Sequence, residues 1–259
     1  MWCISRYIQN KKLRQLRDSR IPYSEWHNVI NNIALLNNLS STEKVRLRQL
    51  SGLFLAHKTM VGVRGIELTR AMQISIAAQA CLPILNLGLA AYNGWIELVI
   101  YPGAFKVNRN FTDANGLVHQ ENQDLSGESW ERGPLILSWD NVEQESQQLI
   151  PGHNVIIHEF AHKLDMLNGR ANGMPPLHPN MPIEIWTRTL SQAFETLNKN
   201  LDHFHYSYIN PYASTNPAEF FAVISEYFFT APNILHKHCP QVYTQLKQYY
   251  RQDTLQRFS

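Results

Sequence analysis

His158 and His162 stand four residues apart, with Glu159 directly after the first, in the stretch Val155-Ile156-Ile157-His158-Glu159-Phe160-Ala161-His162-Lys163-Leu164-Asp165. Imidazole nitrogens are good ligands for zinc, and a carboxylate beside them can act as base toward a metal-held water. No Gly or Pro interrupts the stretch, and its apolar residues recur at helical spacing, which predicts a helix. On a helix, positions i and i+4 lie about 40° apart around the axis and about one turn along it. The two imidazoles therefore fall side by side, at a span that suits one tetrahedral ion. Glu159 projects about 100° from His158. That is poor for a ligand and good for reaching a water on the ion. A hydrogen-bonded pair of core histidines could show the same spacing. Two His and a Glu on so apolar a helix are costly, however, unless something satisfies them.

A catalytic zinc takes three protein ligands and keeps one position open. The pattern H-E-x-x-H-x-x-G-x-x-H fails here, because Asp165 and Asn168 occupy its glycine and histidine positions. The other common solution is a Glu on a later helix. Glu219 and Glu226 both lie in the apolar run from Pro217 to Phe229. They are 226 − 219 = 7 residues apart, about two turns or 10 Å of rise, so both cannot hold one ion, and spacing does not choose between them. Asp165 follows His162 by three residues and shares its face. Either it orients a ligand from behind or it pairs with a nearby Lys or Arg. Glu226 has a comparable pair of options: backing a ligand, or satisfying buried backbone. His153 reads as a loop histidine, and His203, His205, His236 and His238 read as surface histidines.

Several elements must position these groups. Pro22 to Trp26 reads as a turn and helix start, with Ile30, Ile33, Ala34 and Leu39 as an apolar stripe broken at Asn37-Asn38. Ser41 to Lys44 opens a second helix. Lys58 to Ile66 reads as a loop or short strand. Thr69 to Tyr92 is the longest apolar stretch, but Gln73, Gln79 and Asn86 interrupt it and Pro83 breaks it, so it reads as buried helices and not as a membrane span. Ile96 to Tyr101 and Leu117 to Glu121 read as strands, and Asp124 to Gly133 as a polar loop. Leu135 to Trp139 reads as a strand whose leading Pro134 suits an edge or a strand start, and an edge strand is expected. Ile136, Leu137 and Ser138 are then expected to receive an extended peptide by main-chain pairing. Helices are expected over Ile183 to Asn200, Pro217 to Phe229 and Pro240 to Phe258.

The 259 residues are 44% hydrophobic and 17% charged, as in an ordinary globular protein with a sizeable core. A formal net charge of +2 is too small to point to nucleic acid. Cys3, Cys81 and Cys239 form an odd set without C-x-x-C spacing, against both a disulfide framework and a cysteine zinc site, and in keeping with a reducing compartment. The basic lead-in, Arg6 to Arg20, is followed by no apolar signal-peptide core. It reads as a solvated arm. No repeat or linker divides the chain. A single domain over 1–259 is expected: an arm at 1–20, a helical part at 21–66 and a core at 67–259.

Five stretches together carry a resemblance. They are Pro211 to Phe229, Ile157 to Asp165, Gly133 to Trp139, Leu98 to Pro102, and Gln252 to Arg257. These motifs occur in the right order along the chain, which from about Trp26 onward closely resembles the Mlc titration factor A family; the arm before it does not. The resemblance implies an α+β fold of the zincin-like, gluzincin type, mostly helical with a small mixed sheet. It implies His158, His162 and Glu219 as ligands of one zinc ion per chain, Glu159 as general base and Tyr212 as a helper of the transition state. It further implies a cytoplasmic peptidase, aminopeptidase-like on small peptides, that binds the glucose-regulon repressor Mlc. No direct nucleic-acid contact and no membrane attachment are expected, and a monomer is expected. A non-catalytic protein that sequesters a transcription regulator, with zinc as structural support, is the alternative.

Overall fold

A computed structural model describes residues 19–103, 105–112, 118–125, 127–129, 133–203 and 207–258, with the strands between 105 and 129 given by their backbone. The basic arm up to Asp18, Leu117 and His205 lie outside the described residues.

Helix α1 spans Tyr23–Ile30 and α2 spans Ser41–His57. Ser40 caps α2 in a reciprocal box with Glu43, satisfying two otherwise orphaned amides. Strand β1 (Thr59–Gly62) follows, then α3 (Arg70–Cys81), capped by Thr69. The apolar stretch after α3 continues in turns to a short 3-10 piece, Leu89–Tyr92. Strand β2 is Glu97–Tyr101, β3 is Phe105–Thr112, β4 is Val118–Leu125, β5 is Gly127–Ser129 and β6 is Leu135–Ser138. Helix α4 (Trp139–Gln147) comes next, then α5 (Val155–Asp165) and α6 (Ile183–Asp202). Helices α7 (Pro217–Thr230), α8 (Pro232–His238) and α9 (Pro240–Tyr250) complete the order. The chain is thus mostly helical around a small sheet, an α+β architecture. Among the described residues, no helix is long and apolar enough to cross a membrane.

The main sheet has the order β1-β2-β6-β5. β1, β2 and β6 are parallel, and β5 runs antiparallel to β6. β3 and β4 form a separate antiparallel pair. This corrects the expectation for Leu135 to Trp139. β6 is an interior strand: Leu135, Ile136 and Leu137 pair with β2 on one side and with β5 on the other. Ile136 and Leu137 therefore have no open main-chain side for a peptide, and Ser138 is paired with Tyr101 of β2. The polar, Gly-containing run Asp124 to Gly133 looked like a loop, yet it holds the end of β4 and all of β5. Trp139 likewise begins α4 and does not end a strand. Arg251, in the left-handed region at φ 53°, stops α9 well before Phe258.

One cluster of buried apolar side chains runs from Ile21 to Tyr250 and encloses α5. Phe160 on α5 enters an aromatic box of Phe54, Tyr92 and Trp95, with ring centroids 5.0–5.8 Å from its own. Lys163, also buried, donates to Gly133 O (3.2 Å), tying the helix to the entry of β6. Burial pushes its amine down to about 8. α5 is thereby fixed on its core side, and its histidine side faces α7.

Gly152 lies at the turn that feeds α5, at φ +70°. A Cβ there would come within 2.3 Å of the Tyr227 ring, whose hydroxyl accepts from Asn210 N (3.2 Å). Gly152→Ala is expected to destabilise the fold by about 2–4 kcal/mol, because left-handed strain and overpacking act together. Chemical denaturation measures this; a wild-type midpoint would contradict it.

Candidate metal centre

The first turn of α5 has amides that no helix carbonyl can satisfy. Side chains from three elements take them up. Asn154 caps the helix, its Oδ1 accepting from Ile157 N (2.8 Å). Glu145 on α4 accepts from Val155 N (2.5 Å). Glu226 on α7 accepts from Asn154 N through Oε2 (2.6 Å). Thr230, one turn further along α7, accepts from Gly152 N (2.8 Å). α7 is set in turn by Asn216, whose Oδ1 accepts from Ala218 N and Glu219 N (2.9 and 3.0 Å), and by Pro217 in its first turn.

With both helices fixed, two carboxylates two turns apart on α7 address the two nitrogens of one imidazole. Glu226 Oε1 lies 2.8 Å from His158 Nδ1, and Glu219 Oε2 lies 3.0 Å from His158 Nε2. Glu219 Oε2 is also 3.4 Å from His162 Nε2, and the two Nε2 atoms are 3.2 Å apart. Donors bonded at about 2.0–2.1 Å to one tetrahedral ion stand about 3.3–3.4 Å from each other. The triangle of His158, His162 and Glu219 has that size, and its two nitrogens and one oxygen are a zinc-type donor set. Among the described residues, these three form the one group placed to share a metal ion. The choice that spacing left open is thus made geometrically: Glu219 is on the donor side of His158 and Glu226 behind it.

Electrostatics fit a site built for positive charge. Burial works against an imidazolium at His158, but Glu219, Glu226 and Glu159 outweigh it and hold the group well above the ordinary histidine range. Burial also works upward on Glu219, yet the two imidazoles hold its carboxyl far below the usual range. A metal ion takes imidazole in its neutral form, so a proton and a metal ion would compete for His158.

Glu159 is buried on α5, where its charge acts on His158 and Lys163. Tyr212 sits in the 3-10 turn Pro211–Ser214, half exposed, its ring centroid 6.1 Å from that of His158. Asn210 Oδ1 accepts from Tyr212 N (3.0 Å) and holds that turn. Asp165 makes no ion pair among the described residues. It is fully buried, and its Oδ2 clamps the following loop by accepting from Asn172 N and Gly173 N (2.8 and 2.7 Å). No hydrogen bond joins it to His162, whose Nδ1 is buried without a partner among the described residues.

Comparison with known proteins gives the family of the chain. The sequence pattern of the glucose-regulated metallo-peptidase M90 family matches residues 7–251. The chain belongs to the M90 metallo-peptidase family. Mlc titration factor A of Yersinia pestis (strain Pestoides F) is 39% identical over 237 residues, covering 90% of this chain and 86% of that protein. The same figures hold for Mlc titration factor A of Yersinia pseudotuberculosis serotype O:1b (strain IP 31758). The M90 match reaches back to residue 7, so it takes in most of the basic arm, which had been set outside the resemblance.

Glu145 and Asn154 went unnoticed as supports of the site. Asn154 before an apolar run is a legible capping signal. Glu145 gives no such sign, because its partner is a backbone amide ten residues on. Burial lifts Glu145 to about 7; the Val155 amide opposes this, and the Glu226 charge adds to it. A folded value above the ordinary 4.5 gives a contribution that is complete below about 4.5 and lost as pH rises through about 7. Glu145→Gln keeps an acceptor for Val155 N. It should gain on the wild type by about 3 kcal/mol across that window. Denaturant unfolding of the metal-free protein on either side of the window reads this, and a constant difference contradicts it. Glu226→Gln keeps one acceptor where two donors converge, and metal affinity is expected to fall by about 10–100-fold, as read by chelator competition.

Proposed function

We propose that this chain is a zinc-dependent peptidase, cytoplasmic and monomeric, that cleaves small peptides from the amino end. The observation that carries the reading is the triangle of His158 Nε2, His162 Nε2 and Glu219 Oε2 with the Glu159 carboxylate on the same helix. One zinc ion per chain, held by those three donors, would supply Lewis acidity and bring the pKa of its water to about 7.

The chain's own residues do the rest. Glu159 takes a proton from the attacking water and returns it to the leaving amine. Tyr212, at the open side of His158, donates its hydroxyl hydrogen to the oxyanion that develops on the scissile carbonyl. Glu226 fixes the His158 ring so that Nε2 faces the ligand triangle. Asp165 serves one step further out, by holding the loop that follows α5. An extended peptide adds to the sheet at β5, the edge strand beside β6 among the described residues, which packs against α5. Preference for small peptides and for the amino end rests on the family resemblance.

A second reading has its own support, because the curated relatives carry the name Mlc titration factor A. On this reading the chain binds the transcriptional repressor Mlc. It does so either alongside its peptidase activity or as a zinc-supported sequestering protein without one.

One set of measurements tests both. Metal content is measured beside turnover of chromogenic aminoacyl and peptide substrates, with and without chelator. Glu159→Gln is expected to keep its metal and lose about 10²–10⁴-fold in turnover; undiminished turnover would remove Glu159 from its role. Tyr212→Phe is expected to lower kcat on the order of 100-fold with KM little changed. Capture of Mlc by a metal-loaded wild type that hydrolyses no substrate would favour the sequestering protein.

A further inference from the structure

Gln79 lies on α3, 75 residues before Asn154, and is 1% exposed. A buried amide is costly unless its donors and acceptor are met, and an apolar side chain of the same size would fill the space without that demand. Its Nε2 donates to Ser146 Oγ on α4 (2.8 Å), and Ser146 Oγ donates to Val142 O (2.5 Å). Its Oε1 accepts from Asn154 Nδ2 (2.9 Å). Asn154, 2% exposed, is then used at three points: side-chain oxygen to Ile157 N, side-chain nitrogen to Gln79, backbone N to Glu226. Glu226 continues to His158 Nδ1. An unbroken buried path therefore runs from α3 to a ligand of the candidate metal centre.

Capping alone does not need this. Ser, Thr or Asp at position 154 would cap α5 as well as Asn does, and none of them offers the amide hydrogens that Gln79 receives. The second half of the Asn154 amide fixes the direction of the first turn of α5, from which the Asn154 backbone N–H points to Glu226.

We propose that Gln79, acting through Asn154, is a positioning residue for the metal centre: it holds the first turn of α5 so that Glu226 meets His158 Nδ1. This rests on the metal-binding reading above. The assigned residue touches neither metal nor substrate.

The test compares Gln79→Leu with Gln252→Leu. Gln252 is another buried glutamine; it donates to Leu82 O and Pro83 O at the C-terminal end of α3 and accepts from Arg257 Nη2 (2.7 Å), away from α5. Zinc affinity is read by competition with a chromophoric chelator. Amide exchange at Asn154 and Ile157 is read by NMR in the metal-free protein. Gln79→Leu is expected to weaken zinc by about 10–100-fold and to speed exchange at Asn154 N, while Gln252→Leu leaves both at wild-type values. Equal effects from the two variants, or wild-type values in Gln79→Leu, overturn the proposal. Asn154→Ser retains a capping oxygen and loses the link to Gln79. If Gln79→Leu does not fold, Asn154→Ser carries the same readouts, and wild-type values there overturn the proposal. Where both variants fold, the double variant should be no worse than Asn154→Ser alone; additive losses count against the path. A wild type that takes up no zinc sinks the peptidase instead, and the exchange readout then decides the tether by itself.

Discussion

The carboxylate of Glu226 is the contact on which the site depends. It is 6% exposed, and a buried charge is stable only where several donors meet it. Here one oxygen takes the backbone amide of Asn154 and the other takes His158 Nδ1. The first bond fixes where α5 begins relative to α7, and the second fixes which nitrogen of His158 is available. Both come from one side chain, so helix placement and ring orientation are a single event. Breaking it would leave an uncompensated charge inside the core, and this keeps the arrangement rigid.

Around that contact, the approach to α5 has its amides met in turn by Thr230, Glu226, Glu145 and Asn154. Two of these oxygens belong to carboxylates, which suits the positive end of a helix dipole. The same two carboxylates lie near His158, and the charge of Glu226 is one cause of the raised Glu145 value. The carboxylates of Glu226 and Glu219 flank His158 on its two nitrogens, while Glu145, lifted to about 7, adds little charge below that pH. The centre is charged for a cation before one arrives.

What the sequence revealed follows from how local each signal is. The α5 helix, its two histidines and Glu159 were legible because their geometry is set within one turn. The starts of α2 at Ser41 and of α7 at Pro217 were legible for the same reason. Glu219 and Glu226 could be seen as candidates but not told apart, because the distinction depends on how α7 crosses α5. β5 was missed since its three residues, Gly127 to Ser129, show no alternation, and missing it put β6 wrongly at an edge. α4 was missed because Trp139 continued an apolar run and the rest of the helix is polar. Gln79 was noticed only as an interruption of apolar sequence, and its partner on α5 is beyond any local pattern.

The described edge of β5 is Gly127–Ser129. Three residues present about 10 Å of strand edge, enough for a few main-chain bonds and no long ladder. On the peptidase reading, a guest laid along Gly127–Ser129 is held there by few main-chain bonds, and a cation at the neighbouring centre would supply the rest of its grip.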